Sequence, residues 1–127
     1  MQLEPAERQL FDDLFLALTA TALGALEPDA FVRFIAYLYE RDGQYFPRVV
    51  EGQEDGGIDI ELWEGDPVLN GTLVKVAQCK RRTRQNVNRE EIEYFIEKME
   101  QIGIHQGDYF TIAGYTSGAY HAARTHQ

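Results

Sequence analysis

Apolar residues recur at helical spacing near the start of the chain. Leu10, Phe11, Leu14, Phe15, Leu18 and Leu23 form one stripe, which predicts a helix over residues 5–24 punctuated by Gly24 and Pro28. A second helix is expected from 28 to 41, with Pro28 in its first turn, Phe31, Phe34, Ile35 and Leu38 facing inward, and Asp42-Gly43 as its stop. The period then shortens. Residues 44–50 suit an edge strand, because Pro47 cannot donate to a ladder. Asp55-Gly56-Gly57 signals a turn, and Ile58-Asp59-Ile60-Glu61-Leu62-Trp63 alternates apolar and acidic side chains as a strand with one buried face does. Asn70-Gly71 is a hairpin signal, and Thr72 to Lys80 is the next strand.

The best-specified element is a helix over 89–102. Asn88 is its expected N-cap, Glu91 completes a capping box, and Val87 and Ile92 hold the hydrophobic-staple positions. Ile92, Phe95, Ile96, Met99 and Ile102 share one face, and Gly103 stops the helix. Residues 108–113 form a further strand, and a last helix begins near Thr116 or Ser117. The order helix, helix, strand, strand, strand, helix, strand, helix predicts an α/β fold with a mixed sheet flanked by helices.

Composition narrows the class. A chain of 127 residues, 44% hydrophobic and 26% charged, suits one soluble globular domain. No apolar run approaches the roughly 18–20 residues needed to span a bilayer. The opening Met1-Gln2-Leu3-Glu4-Pro5 lacks the basic region of a secretory signal. Cys79 is the single cysteine, so no internal disulfide forms, and a cytoplasmic location is expected. A net charge of −9 by itself argues against nucleic acid. Yet Lys75, Lys80, Arg81, Arg82, Arg84 and Arg89 lie in a stretch without Asp or Glu. Such a strip can steer an anionic substrate locally, since distant exposed charges are screened. Its bland alternative is a solvated loop.

Asp59 is a carboxylate between two isoleucines, and Gln78 and Lys80, two apart on a strand, share a face. If the hairpin pairs as its pattern indicates, the three meet near the strand ends. A carboxylate and an amide oxygen suit a hard cation such as Mg²⁺, and a lysine can hold or deprotonate a water and offset charge on phosphorus. Spacing alone does not decide, because such residues are common on solvated strand faces.

The wording of the segments goes further. Asp55-Gly56-Gly57-Ile58-Asp59 followed by Val76-Ala77-Gln78-Cys79-Lys80-Arg81 resembles the Mrr-type branch of the PD-(D/E)XK nucleases, where a D-G-G-I-D turn and strand precede a Q-x-K strand. The helix at 89–102, the strand Gly107-Asp108-Tyr109-Phe110-Thr111-Ile112, the turn Tyr115-Thr116-Ser117-Gly118-Ala119 and Ala122-Ala123 extend the resemblance over roughly residues 28–125. It implies a restriction-endonuclease-like sheet of four strands or so, with residues 1–26 as an N-terminal helical extension and 27–127 as the core. It also implies a metal-dependent endonuclease cutting DNA phosphodiester bonds in restriction, defence or DNA processing. Asp59 would be the principal metal carboxylate, Gln78 a neutral ligand and the Cys79 backbone carbonyl a third. Lys80 would position the water. Mg²⁺ is the implied cofactor, with Mn²⁺ as a substitute. DNA is the implied partner, contacted through Arg81, Arg82 and Arg84, and a homodimer within a longer multidomain protein is expected.

Two departures stand out. Family members usually carry a Glu in the first core helix directly after the Phe that corresponds to Phe31, and here that position is Val32. Glu40 and Glu51 are the substitutes considered, with Glu61 as a helper beside Asp59. The chain also ends where relatives add a strand, so a fragment or module is expected. The N-terminal helix is read as a packing surface or a dimerisation surface. The competing functions are a DNA-binding module without catalysis and a dimerisation or targeting domain. Elsewhere, His105, His121 and His126 lack zinc-ligand spacing, Cys79 reads as buried and inert, and Ser117 starts a helix. Gly56-Gly57 lacks a phosphate-loop lysine, and Tyr45, Phe46 and Trp63 read as packing, with base stacking by Trp63 as the alternative.

Overall fold

The computed structural model describes residues 1–51 and 57–125. Its elements run α1 (Pro5–Leu16), α2 (Ala20–Gly24), α3 (Pro28–Asp42), β1 (Phe46–Val49), β2 (Ile60–Glu64), a 3₁₀ turn at Pro67–Leu69, β3 (Thr72–Lys80), α4 (Arg89–Gln101), β4 (Gly107–Thr111) and α5 (Ser117–Thr125). The turn expected at 55–57 falls mostly outside the described residues; Gly57 is buried at its end.

The single N-terminal helix expected over 5–24 is two helices. Thr19 is extended, and its hydroxyl accepts from the N–H of Ala22 at 3.0 Å, so a side chain competes with the helical ladder and starts a new helix. The break divides the apolar stripe. Phe11 and Leu14 are buried, whereas Leu10, Phe15, Leu16 and Leu18 are exposed.

The sheet is mixed, in the order β1-β2-β3-β4. β1, β2 and β3 are antiparallel neighbours, and β4 lies parallel to β3 after the α4 crossover. β1 is an edge, where the missing N–H of Pro47 is tolerated. In β2, Ile60 and Leu62 are buried as the alternation requires. The hairpin loop runs over residues 65–71, in line with the loop over 64–71 that the sequence predicts. Asp66 caps the 3₁₀ turn, Asn70 is left-handed (φ 80°), and a Cβ on Gly71 would lie 2.4 Å from the Gly65 carbonyl oxygen.

One face of the sheet carries Phe11, Phe31, Phe34 and Ile35 against Ile60, Leu62, Ala77 and Cys79. On the other, Phe95 and Met99 of α4 cover Val76, while Val87 and Ile92 cluster with Ala119 and Ala122 of α5. Both hydrogen bonds of the α4 capping box form. Ile102, expected on the α4 face, is 48% exposed because the helix ends one residue earlier. Among the described residues, no helix is long and apolar enough to cross a membrane.

Candidate active site

Asp59 lies where the backbone of β2 leaves its ladder. Its N–H donates to the Ala77 carbonyl and its carbonyl accepts from Val50, both at 2.9 Å. Its carboxylate then takes over as acceptor: the N–H of Cys79 donates to Oδ2 at 2.9 Å. Within a strand, a residue's N–H and C=O point toward the same neighbour, so the Cys79 carbonyl is also on the Asp59 side.

Gln78 is the buried polar side chain of the core, 2% exposed. Its amide lies 3.1 Å from Asp59 Oδ2 and against the Gly57 carbonyl. With the nitrogen turned inward, the amide donates to both. With the oxygen turned inward, three oxygens face one another, an arrangement that a cation stabilises. The thiol of Cys79 is held well above its ordinary pKa by burial, and secondarily by the charge of Asp59.

Lys80 ends β3, beside Thr111 of β4 in the parallel register. Lys80 lines a cavity of about 260 Å³ with Arg82, Asn88, Glu90, Glu91, Tyr94 and Tyr109. Asp59 lines one of about 620 Å³ between the chain start, α3 and β1. The structure thus joins Asp59, Gln78 and the Cys79 backbone directly, and holds Lys80 at the end of the same strand. A more apolar cavity of about 610 Å³ between α4, α5 and β4 contains none of these residues.

The acidic alternatives separate clearly. Glu40 is held by the Met1 amino group at 3.2 Å and by Arg8 at 3.1 Å. Glu61 lies 3.6 Å from Arg48 and accepts from Trp63 Nε1 at 3.2 Å, which engages it away from Asp59. Glu51 lines the Asp59 cavity, and so does Val32. Asp29, outside the candidates that the sequence pattern marks, lines it too, at i, i+3 spacing from Val32 on α3. Among the described residues, no three or more His, Cys, Asp or Glu side chains are grouped to hold a metal. His126 lies outside the described residues, and His121 is exposed.

At least half of the basic strip is paired with carboxylates, and Arg81 is held by a backbone carbonyl. Arg81 donates to the Gly24 carbonyl at 2.9 Å, at the C-terminal end of α2. Arg82 forms a two-pronged ion pair with Glu91, Lys75 pairs with Asp108 at 2.9 Å, and Arg89 with Glu93 at 3.5 Å. Arg84 is exposed.

A restriction endonuclease family model, Mrr_cat, matches residues 23–127. The chain belongs to this family. Its four-stranded mixed sheet between helices is the restriction-endonuclease-like fold, with Asp59 just before β2 and Gln78 and Lys80 on the neighbouring central strand β3. Among solved structures, this Mrr-type chain is similar to "MspJI Restriction Endonuclease in Complex with 27-mer Oligonucleotide", at 16% identity and a TM-score of 0.45. That similarity covers 90% of this chain but 25% of the other, so this chain spans a quarter of its length. No curated protein matches. Val32, where the resemblance leads one to expect a Glu, lines the cavity of Asp59 with an apolar side chain.

Proposed function

We infer that this protein is a metal-dependent endonuclease that hydrolyses DNA phosphodiester bonds, in restriction, defence or DNA processing. The observation that carries this reading is the meeting of the Asp59 carboxylate, the buried Gln78 amide and the Cys79 backbone beside Lys80. The donor set fits a hard divalent cation: one carboxylate, one amide oxygen and one backbone carbonyl are all oxygen ligands. Mg²⁺ held there, or Mn²⁺ in its place, would supply Lewis-acid polarisation of the phosphate and a more acidic water.

The chain's own residues do the rest. Asp59 supplies the fixed negative charge, oriented by the Cys79 N–H. Gln78 would offer its amide oxygen to a bound cation, and with its nitrogen turned inward it donates to Asp59 and Gly57. Lys80 holds the attacking water through its ammonium and offsets charge growing on the phosphate oxygens. Asp29 and Glu51 add negative potential to the cavity that Asp59 lines. Arg84 is the cation of the 81–84 stretch best exposed to touch a DNA backbone, since Arg81 and Arg82 are engaged within the fold.

The test is cleavage of supercoiled plasmid with Mg²⁺, with Mn²⁺ and with chelator, for the wild type, Asp59→Ala and Lys80→Ala. Metal-dependent nicking or cutting that disappears in both variants supports the reading. Cleavage unchanged in both sinks it. A second reading, DNA binding without catalysis, draws on Val32 and, among the described residues, on Asp59 as the carboxylate at the Gln78 amide. It is favoured if DNA binds in a salt-sensitive manner and no metal yields cleavage.

A further inference from the structure

Immediately after Lys80 the chain turns sharply, and the N–H of Arg82 donates to the Lys80 carbonyl at 2.8 Å. The Arg82 guanidinium then reaches α4. Its Nη1 donates to Glu91 Oε1 at 2.7 Å and its Nη2 to Oε2 at 2.5 Å, the parallel fork geometry that makes Arg–carboxylate pairs directional as well as strong. Glu91 is itself fixed. Its Oε1 accepts from the Asn88 N–H at 3.2 Å, and its own N–H donates to Asn88 Oδ1 at 3.0 Å. Both partners are mostly buried, with side-chain exposures of 26% for Arg82 and 20% for Glu91. Lys80, Arg82, Asn88 and Glu91 line one cavity. The cap of α4 is therefore bolted to the strand end that carries Lys80.

We propose that Glu91, acting through Arg82, is the positioning residue for Lys80. A cap needs only one carboxylate oxygen, and the fork uses both. The second oxygen commits Arg82 to the turn after Lys80 and removes it from phosphate contact. Burial alone would raise the Glu91 carboxyl, but the Arg82 and Asn88 hydrogen bonds, with the charges of Arg82 and Lys80, outweigh it and hold the group below its ordinary range. The catalytic half of this inference rests on the nuclease reading; the geometric half does not.

The experiment compares wild type, Glu91→Gln, Arg82→Gln and the double variant, with Glu91→Asp as a charge-preserving control that keeps a cap acceptor. Lys80 acylation is followed by mass spectrometry, with Lys75 and Lys98, the other lysines, as internal standards. Cleavage kinetics are measured on the same samples. Lys80 labelling is expected to change severalfold in both single variants and no further in the double, while Lys98 labelling stays constant. kcat is expected to fall by about 10–100-fold with little change in KM, as for a displaced catalytic group. Glu91→Asp is expected to recover part of both effects. Unchanged Lys80 labelling in Glu91→Gln overturns the proposal, even if thermal stability drops. If the wild type cleaves nothing while Lys80 labelling still responds, the nuclease reading fails and the positioning by Glu91 stands.

Discussion

The backbone N–H of Cys79 donates to the carboxylate of Asp59 at 2.9 Å, so the acid just before β2 is oriented by the strand that carries Gln78 and Lys80. Asp59→Asn retains an acceptor for that N–H, whereas Asp59→Ala leaves a buried donor unsatisfied, at a cost of about 1–3 kcal/mol. Both variants are expected to lose at least about 100-fold in metal-dependent cleavage, as removal of a group stabilising the transition state does. The alanine variant alone is expected to show a clear drop in Tm. Plasmid cleavage together with differential scanning fluorimetry checks this, and equal Tm losses would contradict the assigned role of the Cys79 bond.

Gln78→Glu puts a second carboxylate 3.1 Å from Asp59 in a buried site. Like charges at that distance disfavour joint ionisation, so the metal-free protein is expected to lose stability. A divalent cation would offset the repulsion, so the rise in Tm on adding Mn²⁺ should exceed that of wild type. A smaller rise would argue that Gln78 does not face the cation.

The apolar periods of α3, β2, β3 and α4 were readable because each element presents one face to a single core. The capping box was readable because its partners are three residues apart. The N-terminal break was not, since Leu10, Phe15 and Leu18 keep helical spacing whether or not the Thr19 hydroxyl interrupts the ladder. The internal partners of the basic strip were not readable either, for a related reason. The partners of Arg81 and Lys75, Gly24 and Asp108, lie far away in sequence, and a local count of charges cannot see them. The Asp59–Gln78 contact followed from strand pairing, but the separate cavity beside Lys80 depends on where α4 docks.

The folded-state pKa of Glu91 lies below the ordinary 4.5, so it contributes stability that is present above that value and lost as pH falls through its folded value. Glu91→Gln is expected to flatten the acid limb of the stability curve as pH falls below the ordinary carboxylate value of 4.5. Urea unfolding across that limb measures it. Parallel curves for variant and wild type would refute the linkage.

Arg84→Ala is expected to weaken DNA binding and lower the salt slope by about one counterion, while Arg82→Ala mainly lowers Tm. Fluorescence anisotropy at several salt concentrations separates the two. An unchanged slope for Arg84→Ala would remove it from the interface.

The Cys79 thiol, raised by burial and by Asp59, is expected to resist a disulfide reagent at mildly alkaline pH until the protein unfolds. Rapid labelling of the native protein would show that the strand end is open to solvent.

The hairpin has a consequence for how the molecule assembles. Asp59 adjoins β2, Gln78 and Lys80 stand on β3, and only residues 65–71 separate the two strands. Closing so short a loop costs little chain entropy, whereas pairing β4 must await the longer α4 excursion. The acidic and amide groups can therefore meet early in folding, and the ammonium finds its final place only when the crossover helix arrives. A chain with only the hairpin formed would bring Asp59 to Gln78 before α4 docks beside Lys80.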